Sequence, residues 1–237
     1  EIYQCDWSSD VCSSDLDARS TADEYLLTFR GLLQDDPEIT GIALCSTVPS
    51  VLREMRTMLD RYWHHVPHVI IEPGAKTGVP VLMDNPKEVG ADRIANTLAA
   101  HHLYGGPCIV VDFGTSTNFD VVSPAGEYVG GVLAPGIEIS MDALFSRAAR
   151  LFKVDFVAPP SVIGKTTATG LQSGFVYGFA GQVDGIVERI REELGVEAPV
   201  VATGGLASLV APHSKTIGTV DPFLTLDGLR LVWELRA

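Results

Sequence analysis

Two apolar strands joined by a short, hydroxyl-rich turn constrain this chain more than any other stretch. The run is Val110-Val111-Asp112-Phe113-Gly114-Thr115-Ser116-Thr117-Asn118-Phe119-Asp120-Val121-Val122. Ile109, Val110 and Val111 have the continuous apolar character of a buried strand, and Phe119, Val121 and Val122 resume it after the turn. Gly114 lets the backbone approach something bulky, because it has no side chain and tolerates positive φ. Thr115, Ser116 and Thr117 offer hydroxyls and backbone N–H groups in a concave turn, the equipment for binding an anion such as phosphate. A carboxylate at a strand end beside phosphates is suited to holding a cation, which is the role this pattern gives Asp112. On the residues alone, an ordinary hairpin rich in Thr and Ser and a phosphate loop both remain open.

The 237 residues are enough for a sizeable core and point to two domains, although one large domain also fits. A formal charge of −13 argues against nucleic acid or an anionic membrane as partner, since both demand clustered Lys and Arg. Any phosphate site must then rely on local donors and a metal ion. No apolar run approaches the ~20 residues of a membrane span. The first residues show no basic region followed by an apolar one, so no secretory signal is read there. Cys5, Cys12, Cys45 and Cys108 match no zinc or redox spacing, and Cys45 and Cys108 sit in strand-like apolar runs as buried thiols. A reduced, cytoplasmic setting is expected.

Residues Glu1 to Leu16 contain a near repeat, Trp7-Ser8-Ser9-Asp10 and Cys12-Ser13-Ser14-Asp15, without helical or strand periodicity. They are expected to be a foreign leader, similar to translated adaptor or vector sequence ahead of a truncated frame, or else a disordered one. From Asp17 the chain becomes regular. Thr21 with Glu24 forms a capping box for a helix to about Leu33, with Tyr25, Leu26, Phe29, Leu32 and Leu33 facing inward. A strand is expected over Ile39–Val48, then a helix capped by Ser50 through Tyr62, then a strand at Val69–Ile71. This alternation predicts a sheet covered by helices. Lys76, in a loop rich in Gly and Pro, lacks the spacing of a Walker loop and reads as a solvated lysine.

Asn85-Pro86-Lys87-Glu88-Val89-Gly90-Ala91-Asp92-Arg93 is the second informative stretch. Asn85 as N-cap, Pro86 at the first position and Glu88 at the third predict a helix running past Leu98 to about Leu103. Gly90 inside that helix would cost about 1 kcal/mol relative to alanine, which implies close approach of a ligand or another backbone. Asp92 and Arg93 are adjacent, roughly 100° apart on a helix, so one can face a cleft while the other reaches a neighbouring group. A surface Asp-Arg pair on an amphipathic helix would explain them equally. Gly105-Gly106-Pro107 then breaks the helix and marks a domain boundary.

Downstream, Gly130-Gly131-Val132-Leu133-Ala134-Pro135-Gly136-Ile137 closes a three-strand meander and leads into a helix around Met141–Leu144. Ile163 to Gly174 precedes an amphipathic helix expected over Phe175–Leu194. Val200-Val201-Ala202-Thr203-Gly204-Gly205 reads as a strand entering a glycine turn, and a last helix runs through Val232 and Leu235.

These motifs, in this order, resemble the type III pantothenate kinases, a branch of the sugar kinase, Hsp70 and actin-like ATPase superfamily. The turn at Asp112-Phe113-Gly114-Thr115 resembles the superfamily's second phosphate motif, Asp-x-Gly-Thr. Asp84-Asn85-Pro86 through Gly90-Ala91-Asp92-Arg93 resembles the family's pantothenate motif, as do Ser46-Thr47-Val48-Pro49, Gly130 to Gly136, Ile163-Gly164-Lys165-Thr166-Thr167 and the closing Pro222 to Leu229. Two positions depart from it: Met83 stands where many relatives have Tyr, and Leu171 where they have Met.

The resemblance implies an α/β fold of two actin-like ATPase (ribonuclease H-like) domains around an interdomain cleft. The boundaries expected are 17–106 and 107–237, with the last helix packing back on the first domain. No Asp-x-Gly-Asn-Thr string of the family's first phosphate loop occurs in the sequence. The first domain is therefore expected to lack its N-terminal hairpin, and low activity is expected of the chain as written. The implied reaction is ATP-dependent phosphorylation of pantothenate, the first step of coenzyme A synthesis. The resemblance assigns Asp92 as proton acceptor, and Gly90, Ala91, Asp92, Arg93 and Thr167 as pantothenate contacts, with Thr167 contributed near a homodimer interface. Gly114, Thr115, Ser116, Gly204 and Gly205 would bind ATP, and Asp112 would hold K⁺ or ammonium, with Mg²⁺ accompanying ATP. Two alternatives stay open: a kinase of the same fold acting on a sugar or carboxylate, and a non-catalytic nucleotide-binding or regulatory relative, since some relatives have been named transcription accessory factors.

Overall fold

A computed structural model describes residues 17, 19–33, 39–72, 74–148 and 151–236 of the chain; the expectation about Glu1 to Leu16 lies outside them. Two sheets form. The smaller pairs β1 (Ile42–Cys45) in parallel with β2 (His68–Ile71). The larger has the order β5-β4-β3-β6-β7, built from β3 (Cys108–Phe113), β4 (Ser116–Val122), β5 (Tyr128–Pro135), β6 (Val200–Thr203) and β7 (Thr219–Val220). β3, β4 and β5 form the expected antiparallel meander, while β6 lies parallel to β3 on its other side.

The continuous apolar run of β3 follows from its central position, since both of its faces are covered. Ile109, Val111 and Phe113 point to one face, where they pack with α4 (Ile137–Arg147) and the long α5 (Thr167–Leu194) through Ile137, Met141, Val183 and Val187. Cys108 and Val110 point to the other, against Ala99 and Ala100 of α3 (Ala91–Tyr104) and Leu224 and Leu231 of α7 (Leu224–Glu234), which follows the short α6 (Ala207–Val210). Strand periodicity therefore puts Asp112 on the α3 face, along with Asp120, which pairs with Val110 across the β3–β4 ladder. On α3, Arg93, Asn96 and Ala100 recur at i, i+3 and i+7, the stripe that a helix lays on a sheet. Polar residues of the stripe thus meet carboxylates of the sheet.

α1 (Ala22–Leu32) starts at the predicted capping box: Thr21 Oγ1 accepts from the Glu24 amide, and Glu24 Oε2 accepts from the Thr21 amide at 2.8 Å. It packs on α2 (Pro49–Tyr62), joining Tyr25 and Leu26 to Met55, Met58 and Leu59 in one cluster. Four boundaries differ from the sequence reading. Val48, not Ser50, is the N-cap of α2, because Pro49 fits the first helical position and holds the preceding residue extended. The strand expected over Ile39–Val48 shortens to Ile42–Cys45, the length over which β2 can pair with it. α5 starts at Thr167 instead of Phe175, with Thr166 and Thr169 closing a threonine version of the capping box.

The fourth difference lies at Asn85. Pro86–Glu88 form a single 3₁₀ turn, and Val89 and Gly90 are extended before α3 begins at Ala91. Asn85 donates to the Glu88 carboxylate at 2.7 Å and caps no backbone group. Burial of Val89 with Ile94 and Tyr128 takes the chain out of the helical path. Gly90 is thus the N-cap of α3, not an interior residue. α7 packs closely on α3: a Cβ at Gly228 would lie 2.1 Å from the Ala95 carbonyl oxygen, so only glycine permits this separation.

Candidate functional site

Gly90-Ala91-Asp92-Arg93 occupies the N-cap and first turn of α3. Asp92 is partly exposed, and its Oδ1 accepts from the Arg93 amide at 2.9 Å. A Cβ at Gly90 would lie 2.4 Å from that oxygen and 3.5 Å from Thr47 Cγ2. Glycine there makes room for the Asp92 carboxylate to fold over the helix start, beside the turn that follows β1. Ala91 is buried with Val69 and Ile71 of the small sheet, which anchors the helix start.

Arg93 points the opposite way, into the protein. Its Nε lies 3.3 Å from Asp120 Oδ1, and its Nη1 donates to the Tyr128 hydroxyl, also at 3.3 Å. Tyr128 donates to Asp120 Oδ1 at 3.1 Å, closing a triangle whose acid and phenol are fully buried. Burial pushes the Asp120 carboxyl up to about 6, against the pull of the Arg93 charge and the Tyr128 hydrogen bond. Burial also raises the Tyr128 phenol, reinforced by the Asp120 charge. Two groups of this triangle, Arg93 Nη2 and Asp120 Oδ2, have no hydrogen-bond partner among the described residues. The chain at Pro80 and Leu82 brackets Tyr128 with two backbone hydrogen bonds and fixes the phenol's position.

The hairpin turn sits where three segments converge. Phe113 pairs with Thr117, and the Gly114 amide donates to the Ser116 carbonyl at 3.1 Å, leaving Gly114, the exposed Thr115 and Ser116 at the tip. Gly136, the N-cap of α4, packs against this tip: a Cβ there would lie 2.2 Å from the Thr115 carbonyl oxygen. On the parallel neighbour β6, Thr203 pairs with Asp112, and Gly204 follows in the left-handed region at φ +88°. A Cβ at Gly204 would meet the Phe113 carbonyl oxygen at 2.6 Å and Asp112 Oδ1 at 2.8 Å. Gly204 therefore lets the β6 turn close onto the β3 turn, while Gly205 stays exposed. The crevice lies outside the carboxyl ends of two adjacent parallel strands, a recurrent ligand position in α/β sheets.

Asp112 and its surroundings suit a cation. Its Oδ2 accepts from Asn96 Nδ2 at 3.1 Å, and its Oδ1 is directed at the Gly204 turn. Thr203 shares its face, and the Thr203 hydroxyl is buried without a hydrogen-bond partner among the described residues. A carboxylate, a hydroxyl and a carbonyl are the neutral-to-anionic oxygen set that hard cations take. Among the described residues no three His, Cys, Asp or Glu side chains converge as a metal cage. A divalent ion would therefore depend on phosphate oxygens for much of its coordination.

The structure brings the start of α3 and the paired turns of β3 and β6 to one side of the large sheet, but not Thr167. That residue is exposed at the first position of α5, in an open groove of about 530 Å³ lined also by Leu144, Leu151, Phe175 and Phe179. None of the other candidate residues lines the groove. Sequence reasoning missed Asn96, Asp120, Tyr128 and Thr203, while Gly136 lies in the glycine run already singled out. Of those missed, only Asp120 carried a signal, a carboxylate within an otherwise apolar strand; the others act through contacts made by distant segments.

The sequence profile described as type III pantothenate kinase matches residues 5–189. A type III pantothenate kinase of Frankia alni is 65% identical over 218 residues, covering 92% of this chain and 87% of that protein. One from Rhodococcus erythropolis is 64% identical over 223 residues, covering 92% and 82%. Among solved structures, a conserved protein of the Baf family of transcriptional activators from Campylobacter jejuni superimposes with a TM-score of 0.53 at 20% identity, covering 77% of this chain and 78% of that one.

Proposed function

The chain belongs to the type III pantothenate kinase family, and on that premise we propose how its residues divide the work. The reaction is ATP-dependent phosphorylation of pantothenate to 4′-phosphopantothenate, the first step of coenzyme A biosynthesis. Phosphoryl transfer is mainly positioning and charge stabilisation. Asp92 accepts the proton of the primary hydroxyl as that oxygen attacks the γ-phosphorus, when the hydroxyl has become acidic. Support for this role comes from its partly exposed place at the start of α3, where the side chain is held by its own helix and, among the described residues, by no Lys or Arg.

Gly90 and Ala91 shape the approach to Asp92, and Arg93 is assigned as a further pantothenate contact on the family resemblance, its guanidinium lying inward on the Asp120–Tyr128 triangle. Gly114, Thr115 and Ser116 take ATP phosphates through backbone amides and hydroxyls, while Gly204 and Gly205 receive the adenosine end. Asp112 holds K⁺ or ammonium, whose charge offsets phosphate charge near the turn; Mg²⁺ arrives with ATP. The observation that carries this reading is the convergence of the β3 and β6 turns at Gly204, on the sheet face that α3 covers.

The larger architecture follows the same reading: two α/β domains with a cleft between them, divided near Gly105–Pro107. It is supported by the separate apolar cluster of α1, α2 and the small sheet. We also propose a homodimer that brings Thr167 of one copy to the pantothenate site of the other, and a cytoplasmic location. No helix among the described residues is long and apolar enough to cross a membrane. A substrate panel tests the assignment: with ATP, pantothenate should be phosphorylated while hexoses and short carboxylates are not. Phosphorylation of a sugar or a carboxylate in preference to pantothenate would overturn it.

A further inference from the structure

A buried amide links the C-terminal helix to the phosphate turn. Asn96 is fully buried on α3, its Nδ2 donating to Asp112 Oδ2 at 3.1 Å and its Oδ1 accepting from Thr225 Oγ1 at 2.7 Å. The direction of this chain is fixed by chemistry. An ionised carboxylate only accepts, so the amide must turn its NH₂ to Asp112, and its oxygen is left for the Thr225 hydroxyl. Thr225 stands 129 residues from Asn96 in sequence and reaches it because Gly228, one turn along α7, lets that helix lie against Ala95.

From this geometry we propose that Asn96, held in place by Thr225, is a positioning residue for Asp112. The amide fixes one carboxylate oxygen and thereby aims the other at the Gly204 turn, so the C-terminal helix sets cation selectivity at the nucleotide site. The proposal rests on the reading of Asp112 as the cation-holding residue. Removing the Thr225 hydroxyl leaves the buried Asn96 oxygen without its donor, and the amide gains a reason to rotate. Asp112 Oδ2 then loses the hydrogen bond from Asn96. Because the amide never touches the cation, selectivity changes without any ligand being removed.

The experiment is calorimetric titration of the full chain with a non-hydrolysable ATP analogue, in KCl and in NaCl at matched ionic strength, with a melting curve in each salt. The parent should bind the analogue more tightly and melt higher in KCl. T225V, nearly isosteric but without the donor, should lose roughly three- to tenfold of that preference, the size of one net hydrogen bond. T225S should restore it. If T225V does not fold, T225A is read in its place, with the same expectation. A parent preference kept intact in the valine or alanine variant would overturn the positioning role alone. A parent with no preference between the two salts would overturn the cation reading of Asp112, and the inference with it.

Discussion

Replacing Asp120 by asparagine sets two large effects against each other at one buried site. Arg93 lies 3.3 Å from the Asp120 carboxylate, so pairing favours the charged acid; full burial disfavours it. Burial prevails, since the carboxyl stands at about 6 in the fold, above the ~3.9 of an exposed aspartate. The native state thus binds this proton more tightly than the unfolded chain. The stability it contributes is complete below about pH 4 and is lost as pH rises through about 6. A difference of that size corresponds to roughly 3 kcal/mol. Asparagine imitates the protonated acid and cannot ionise. Urea denaturation of parent and D120N at pH 4.5 and 7.5 should therefore show the variant gaining on the parent by about 2 kcal/mol between the two pH values. Taking the difference cancels groups that act in the opposite sense, such as Asp184, whose carboxyl, despite burial that raises it, is held low by hydrogen bonds from Ser214, Lys215 and Thr216. A difference in stability between D120N and the parent that stays the same at pH 4.5 and pH 7.5 would contradict this, because an acid held at or below its ordinary value is already ionised at pH 4.5. Such a result would show that the ion pair outweighs burial.

Three further outcomes follow from the same geometry. D112A should erase the difference between K⁺ or ammonium and Na⁺ in phosphorylation rate, and equal rates in all three salts for the parent would remove Asp112 from cation binding. G228A places a Cβ 2.1 Å from the Ala95 carbonyl and should destabilise by about 1–3 kcal/mol, seen as a fall in melting temperature of roughly 3–10 °C; an unchanged melting temperature would contradict the packing of α7 on α3. G204A forces a side chain into the left-handed region at φ +88° and against the Phe113 carbonyl, so titration should show at least ~tenfold weaker ATP binding; parent-like affinity would dissociate that turn from the nucleotide.

Strand periodicity made much of the large sheet legible. The run from Ile109 to Val122 carries its own turn, and the observed meander follows it. The Thr21 capping box was equally local, because both of its hydrogen bonds join residues three apart. Asn85-Pro86 misled for a physical reason: local capping preference was overridden when Val89 was buried against Tyr128, a residue from another element. The inward turn of Arg93 depended on Asp120, and the role of Asn96 on Thr225, partners 27 and 129 positions away; no periodicity within α3 distinguishes those residues from ordinary polar ones. Asp92 was found through the pantothenate motif, whereas spacing alone left it a surface carboxylate.

On the proposed mechanism, Asp92 takes the proton from the hydroxyl of pantothenate. This step is tested most directly by following 4′-phosphopantothenate formation from ATP with and without D92N in a chain that also carries the family's first phosphate loop, while ATP binding is titrated in both. The expected result is turnover at least ~100-fold slower in D92N, the usual contribution of a positioned base, with ATP affinity unchanged. Phosphorylation by D92N at a rate near that of the parent would contradict it.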